Sequence, residues 1–228
     1  MAYRIALFDA DNPLLDFARS EREAVHLCLA ARGLPADGDT TALYSRINDS
    51  YWKRLEQKLI TRDRLRVERF ADLFDALGYD RDPRAMALEY EATLARQSYL
   101  VDGALPLVQA LHGRCRLFII TNGTASVQRE RFGRGPLVPY FEDCFISEEM
   151  GCAKPEKVFF DRVAASIPDF SPEDTLVIGD SLSSDIRGGI NAGLDTCWYN
   201  PTGKEAPADM AITYTVRTLD EILPILIT

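Results

Sequence analysis

The chain has no apolar run near the roughly 20 residues that a membrane-spanning helix needs, so no membrane span and no membrane partner are expected. It also has no excess of positive charge. Its 26 Lys and Arg residues stand against 35 Asp and Glu, for a net charge of −9. That balance argues against general binding to nucleic acid or to an anionic lipid surface. Cys28, Cys115, Cys144, Cys152 and Cys197 are odd in number and scattered, with no Cys-x-x-Cys pair. They read as buried free thiols rather than disulfides or a zinc site. The only histidines, His26 and His112, fall in helical segments and attract no role. The start lacks the charged, apolar and cleavage-site pattern of a signal peptide, so the expected location is cytoplasmic. No internal repeat and no low-complexity tract is found.

The chain does have ample material for a core. About 46% of its 228 residues are hydrophobic, enough for one large domain or for a domain carrying an insertion. Arg4 to Phe8 reads as a buried strand and runs straight into Asp9-Ala10-Asp11. Along a strand, positions i and i+2 point to the same side. Two acids at the carboxyl end of a buried strand sit where open α/β sheets bind their ligands. Leaving them there uncompensated costs several kcal/mol each, which a metal, a proton or hydrogen-bond donors must offset.

Two textures follow. Residues 15–100 read as helical throughout. Phe17 to Arg32 stops at Gly33; Leu43 to Leu59 carries a stripe of Leu43, Ile47, Tyr51, Leu55 and Leu59; Thr61 caps a third helix that ends at Gly78. Asp82-Pro83 supplies the cap and first position of a fourth, ending before Val101. From residue 103 short apolar runs alternate with helical segments. The runs are 117–120, 144–146, 175–178 and 196–199. Such alternation predicts a parallel sheet with helices on both faces. The expected fold is α/β: a Rossmann-like doubly wound core from residues 1–14 and 101–228, with an inserted α-helical cap at 15–100.

Each core strand ends in chemistry. Leu117 to Ile120 leads into Thr121-Asn122-Gly123, and Leu176 to Ile178 into Gly179-Asp180, with Asp185 shortly after. Gly151-Cys152-Ala153-Lys154-Pro155 places a lysine just ahead of a helix. The inventory is four carboxylates, one hydroxyl, one ammonium and several loop amides. Acids alone repel, and an oxygen-only donor set indicates Mg²⁺. The hydroxyl, ammonium and amides suit a tetrahedral oxyanion such as phosphate.

Taken together and in this order, Asp9-Ala10-Asp11, Thr121-Asn122-Gly123, Lys154-Pro155 and Gly179-Asp180 with Asp185 resemble the four motifs of the haloacid dehalogenase-like hydrolases. The likeness covers essentially the whole length, because the helical block resembles that superfamily's small cap. It implies that Asp9 is a nucleophile forming an aspartyl-phosphate, and that Asp11 is general acid and then general base. It implies Mg²⁺ held by Asp9, the Asp11 carbonyl and Asp180, with Asp185 as an outer partner or further ligand. Thr121, Asn122 and Lys154 would serve the phosphoryl group. Asp11 together with Asp180 favours phosphoryl transfer over dehalogenation. One departure stands out: Pro13 occupies a place where family members usually carry threonine, and it lacks both that hydroxyl and an N–H. It also biases Asn12 away from helical geometry.

A finer resemblance is to bacterial house-cleaning 5'-nucleotidases that act on pyrimidine and noncanonical nucleoside monophosphates. It rests on the first motif, Ile146-Ser147-Glu148-Glu149, Gly179-Asp180-Ser181, Gly188 to Gly193, and Thr196-Cys197-Trp198. The partner it implies is a small phosphorylated metabolite, a nucleoside monophosphate. In the cap, Trp52 could stack on a base and Asn48 could hydrogen-bond it; the plainer reading of Trp52 is burial between cap helices. Arg62, Arg64, Arg66 and Arg69 could attract a phosphate ester or simply form a solvated face. Two alternatives stand beside the nucleotidase reading: a phosphatase of sugar phosphates or other small phosphometabolites, and a catalytically weakened binding protein of the same fold.

Overall fold

A computed structural model describes residues 3–227. The chain divides into two compact units: Met1–Asp16 with Ser98–Thr228, and Phe17–Gln97. Strand β1 (Ile5–Asp9) opens the first unit. The expected boundaries at 14/15 and 100/101 give the cap a few residues too many at each end. Backbone pairing explains the difference, since Asp16 donates to the Tyr99 carbonyl and Val101 to the Leu14 carbonyl. These bonds tie both connecting strands into the first unit.

The second unit is four helices: α1 (Phe17–Ala31), α2 (Gly38–Glu56), α3 (Arg62–Leu77) and α4 (Pro83–Leu94). Local chemistry sets their ends. Asp37, Thr61 and Asp82 cap α2, α3 and α4 by accepting from backbone N–H groups of the first turn. Gly78 ends α3 at φ +73°, a conformation that costs a residue without Cβ little. Of the expected stripe on α2, Tyr51 is buried, Ile47 and Leu55 pack partly buried beside it, and the fully buried face is turned away from Leu43. It runs through Thr40, Thr41, Tyr44, Asn48 and Tyr51, and Leu59 lies exposed beyond the helix end. The turn of the face follows from Tyr44, which stacks on Phe70 at 5.1 Å and lies 5.3 Å from the Tyr90 ring. An aromatic cluster of this area outweighs the flanking aliphatic stripe. The fourth helix ends at Leu94, short of the expected limit near 100.

The first unit continues with α5 (Ala104–Leu111), β2 (Arg116–Thr121), α6 (Ala125–Arg134), β3 (Asp143–Ile146), α7 (Ser147–Met150), α8 (Lys157–Ser166), β4 (Thr175–Gly179), α9 (Arg187–Ala192), β5 (Asp195–Tyr199), β6 (Tyr214–Val216) and α10 (Ile222–Ile227). Among the described residues six strands form one parallel sheet in the order β3-β2-β1-β4-β5-β6. Strand β6 was not anticipated: it is three residues long and half exposed at the sheet edge, too short for an apolar run to show. Alternate residues feed two cores. Ala6, Phe8, Leu117, Ile119, Leu176 and Ile178 pack with Leu107, Leu111, Ile222 and Leu226 of α5 and α10. Ile5, Leu7, Phe118, Ile120 and Val177 pack with Phe159, Phe160 and Val163 of α8. With both faces covered, the strands must be apolar throughout.

Register then fixes the functional end. Asp9 lies opposite Ile120, and Phe8 opposite Ile178. Asp9, Thr121 and the Gly179-Asp180 step therefore reach the same edge of the sheet. The winding direction reverses between β1 and β4, the position where doubly wound sheets open a crevice. Among the described residues, no helix is long and apolar enough to cross a membrane.

Candidate active site

Lys154 organises the site. It is 3% exposed, and its ammonium donates to Asp9 Oδ1 at 2.6 Å, Asp185 Oδ1 at 2.7 Å and the Ile120 carbonyl at 2.9 Å. Those three bonds match the three hydrogens of an ammonium. The lysine is held from outside by Asn122. That side chain accepts from the Lys154 N–H at 3.0 Å and donates to the Lys154 carbonyl at 2.8 Å. Asn122 is expected to serve the phosphoryl group; its side-chain amide pairs with both backbone polar groups of Lys154 and fixes the lysine loop.

Asp185 is buried, and its second oxygen accepts from the Ser181 N–H at 3.0 Å. The preceding glycine is required by that packing. A Cβ at Gly179 would fall 2.2 Å from Asp185 Oδ2. Ser181 Oγ accepts from the Ser184 N–H, capping the widened helical turn Leu182–Ile186 that presents Asp185. The Trp198 indole donates to the Asp180 carbonyl at 3.0 Å and anchors that backbone. The Asp180 carboxylate accepts from Asn12 Nδ2 at 2.8 Å. Asn12 sits at φ +70°, a left-handed conformation that asparagine tolerates and that keeps it off the right-handed helix disfavoured before proline.

Pro13 is buried in the turn beyond Asn12. The turn closes without it: Asn12 N–H donates to Leu15 O at 2.7 Å and Leu15 N–H to Ala10 O at 2.9 Å. The departure from threonine therefore leaves no backbone gap.

Thr121 Oγ1 accepts from the Gly123 N–H at 3.0 Å and from Gln128 Nε2 at 2.9 Å. With two donors aimed at its oxygen, the hydroxyl proton is the part directed elsewhere. The Asp11 carboxylate is gripped by α6. Arg131 Nη1 donates to Oδ1 at 2.6 Å, and Gln128 Nε2 to Oδ2 at 2.8 Å. Neither Arg131 nor Gln128 was anticipated from the sequence. They lie three apart in a helix crowded with Arg and Glu, and their neighbours Arg129 and Arg134 pair at the surface with Glu149 and Glu130.

The expected cap residues fare differently. Asn48 is 0% exposed. Its Nδ2 donates to Glu21 Oε1 at 2.7 Å, and its Oδ1 accepts from Arg69 Nη1 at 2.8 Å. The expectation that Asn48 contacts a base is corrected: the residue ties three helices of the cap together from inside. Trp52 is half-buried against the Tyr51, Ile60 and Leu65 cluster, with the Arg62 guanidinium 5.6 Å over its ring. Arg69 is buried over Phe70 and Tyr90 rather than solvated, whereas Arg64 is exposed and paired with Glu68.

Electrostatics tests whether a cation belongs here. Asp9, Asp180 and Asp185 each offer a carboxylate oxygen, all within 4.8 Å of one another. Three acids thus face one ammonium. Burial pushes Asp9 well above the ordinary carboxylate range; Lys154 opposes this, and Asp185, Asp180 and Asp11 add to it. Burial, aided by the charge of Asp185, pushes Asp180 up to about 7, against the pull of Asn12 and Lys154. For Lys154, burial works against the charge, but Asp185 and Asp9 outweigh it and hold the ammonium above its ordinary value. A site still short of positive charge, with oxygen donors only, fits a hard divalent cation.

The chain is similar to known proteins along most of its length. The protein YfnB of Bacillus subtilis (strain 168), named a HAD-hydrolase, is 40% identical over 224 residues, covering 98% of this chain and 95% of that protein. Its crystal structure bound to magnesium matches with a TM-score of 0.94 over 99% of both chains. Pyrimidine 5'-nucleotidase PynA of Streptococcus pneumoniae is 38% identical, covering 98% of this chain and 94% of that protein. Pyrimidine 5'-nucleotidase YjjG of Escherichia coli (strain K12) is 35% identical, covering 78% and 79%. The family model for haloacid dehalogenase-like hydrolase matches residues 3–193, and the chain belongs to that family.

Proposed function

We propose that the protein hydrolyses phosphate monoesters, with pyrimidine or noncanonical nucleoside 5'-monophosphates as substrates and Mg²⁺ as cofactor. The observation that carries the reading is the buried Asp9–Lys154–Asp185 chain with Asp180 beside it. The similarity to two pyrimidine 5'-nucleotidases supports the substrate class. A phosphoryl group would be met by the Lys154 ammonium and the Thr121 proton. Asp9 attacks phosphorus while the ester P–O bond breaks, and the departing oxygen takes a proton from the Asp11 carboxyl group. Asp11, now ionised, takes a proton from water as that water attacks the phosphorus bonded to Asp9. The Asp9–phosphorus bond breaks, phosphate leaves, and both acids return to their starting forms. Asp9, Asp180, Asp185 and the Asp11 carbonyl would hold Mg²⁺, which supplies charge neutralisation for the phosphoryl oxygens.

The test measures phosphate release from pyrimidine nucleoside monophosphates, purine nucleoside monophosphates and sugar phosphates, with Mg²⁺ and with chelator. The expected result is preference for the pyrimidine nucleotides, loss with chelator and loss in Asp9→Asn. Equal or better rates on sugar phosphates would refute the substrate assignment. Undiminished release by Asp9→Asn would refute the mechanism.

A further inference from the structure

Arg131 is among the largest fully buried side chains of the protein, at 1% exposure. Desolvating a guanidinium is costly, and an apolar side chain of similar volume would pack at lower cost. Its presence therefore calls for a partner that needs it. One such partner is Asp11, at 2.6 Å from Nη1; the same nitrogen donates to Gln128 Oε1 at 3.2 Å. Gln128 in turn bridges Asp11 Oδ2 and Thr121 Oγ1. The two residues brace each other, and the Arg131 carbonyl accepts from Ser98 Oγ at 3.0 Å, fixing that turn of α6. The packing is tight at the other end too: a Cβ at Gly123 would fall 2.6 Å from Gln128 Nε2. Both oxygens of Asp11 are thus aimed by one helix, and that helix is itself pinned at two points.

We infer that Arg131 and Gln128 are positioning residues for proton transfer by Asp11, acting on the departing oxygen and on water through the direction of that carboxylate. The inference rests on the mechanism proposed for Asp9 and Asp11. It has a consequence that a purely structural role lacks. A p-nitrophenolate leaves without needing a proton, whereas the alkoxide of a nucleoside does. The quantity to compare is kcat/KM, which covers the steps through ester cleavage.

Arg131→Met and Gln128→Met are expected to lower kcat/KM on a pyrimidine nucleoside monophosphate at least about tenfold more than on p-nitrophenyl phosphate, within the range of general acid catalysis. Arg131→Lys is expected to recover part of the loss. Folding is monitored by far-UV circular dichroism and by a cooperative thermal transition, both of which should persist in each variant. Gln128→Met removes no interior charge and decides the matter if Arg131→Met fails to fold. Equal losses on both substrates, or a gain on the nucleotide, overturn the inference. Asp11→Asn separates the two levels. If it shows the leaving-group pattern and the α6 variants do not, only the positioning role fails; if it lacks the pattern, the proton-transfer mechanism itself fails.

Discussion

Lys154→Met puts the electrostatics of the site under direct strain. The ammonium lies 2.6 Å from Asp9 Oδ1 and 2.7 Å from Asp185 Oδ1 in a buried setting. Methionine keeps most of the length and volume of lysine, so little cavity is made, and the loss is mainly of charge. Removing one member of a buried ion pair costs about 3–5 kcal/mol, because the partner stays buried without compensation; here one lysine serves two partners. At about 2–4 °C per kcal/mol for a chain of this size, Tm should fall by roughly 6–20 °C. The pH dependence has a defined sign. Burial already pushes Asp9 above the ordinary range with the lysine present, and losing the ammonium raises it further. A protonated carboxyl group needs no counter-charge, so the variant recovers as pH falls and the deficit is largest at high pH. The assay is thermal and urea unfolding of metal-free wild type and variant at about pH 5 and about pH 8. A deficit below about 1 kcal/mol, or one that does not shrink at the lower pH, would refute the account of Lys154 as the counter-charge of the cluster.

Gly179→Ala should destabilise by about 1–3 kcal/mol, since its Cβ would fall 2.2 Å from Asp185 Oδ2, which accepts from the Ser181 N–H while Lys154 holds Oδ1. An unchanged urea midpoint would show that Asp185 can move. Because Asp180 is pushed up to about 7 in the metal-free protein, Mg²⁺ must displace its proton below that pH. Affinity measured by calorimetry should fall at least about tenfold per pH unit below about 7; a flat profile across that range would contradict the assignment of Asp180 as a ligand. Pro13→Thr should change turnover no more than a few-fold, since the turn closes through Asn12, Leu15 and Ala10. A large gain in phosphate release would show that the proline impairs the site.

The parts of the site legible in the sequence are those that end strands. A strand buried on both faces reads as a continuous apolar run, so the polar residue that stops it is conspicuous. Asp9, Thr121 and Asp180 were visible in this way, and Lys154 as a loop cation before a helix. Gln128 and Arg131 were hidden because the charges on α6 have the same spacing whether they face solvent or a carboxylate. Asn48 was misjudged for the converse reason. A polar residue beside a tryptophan suggests a ligand contact, but Glu21 and Arg69, distant in sequence, supply its hydrogen bonds inside the cap. The stripe from Leu43 to Leu59 located only one side of the buried face of α2, at Ile47, Tyr51 and Leu55, because helical period does not weigh a face against the ring cluster of Tyr44, Phe70 and Tyr90.

By itself, the amino-acid sequence determined which residues could do chemistry and at which strand ends they would stand, because strand periodicity and the apolar demand of a parallel sheet are local properties. It also determined the helix caps, through side chains that reach backbone groups only a few residues away. Tertiary structure alone decided which partners those residues have. That Lys154 joins Asp9 to Asp185, that Asn122 braces the lysine loop, and that Arg131 meets Asp11 all depend on sheet order and helix packing. Those bring together groups separated by 31 to 145 positions along the chain, over which no sequence period carries information.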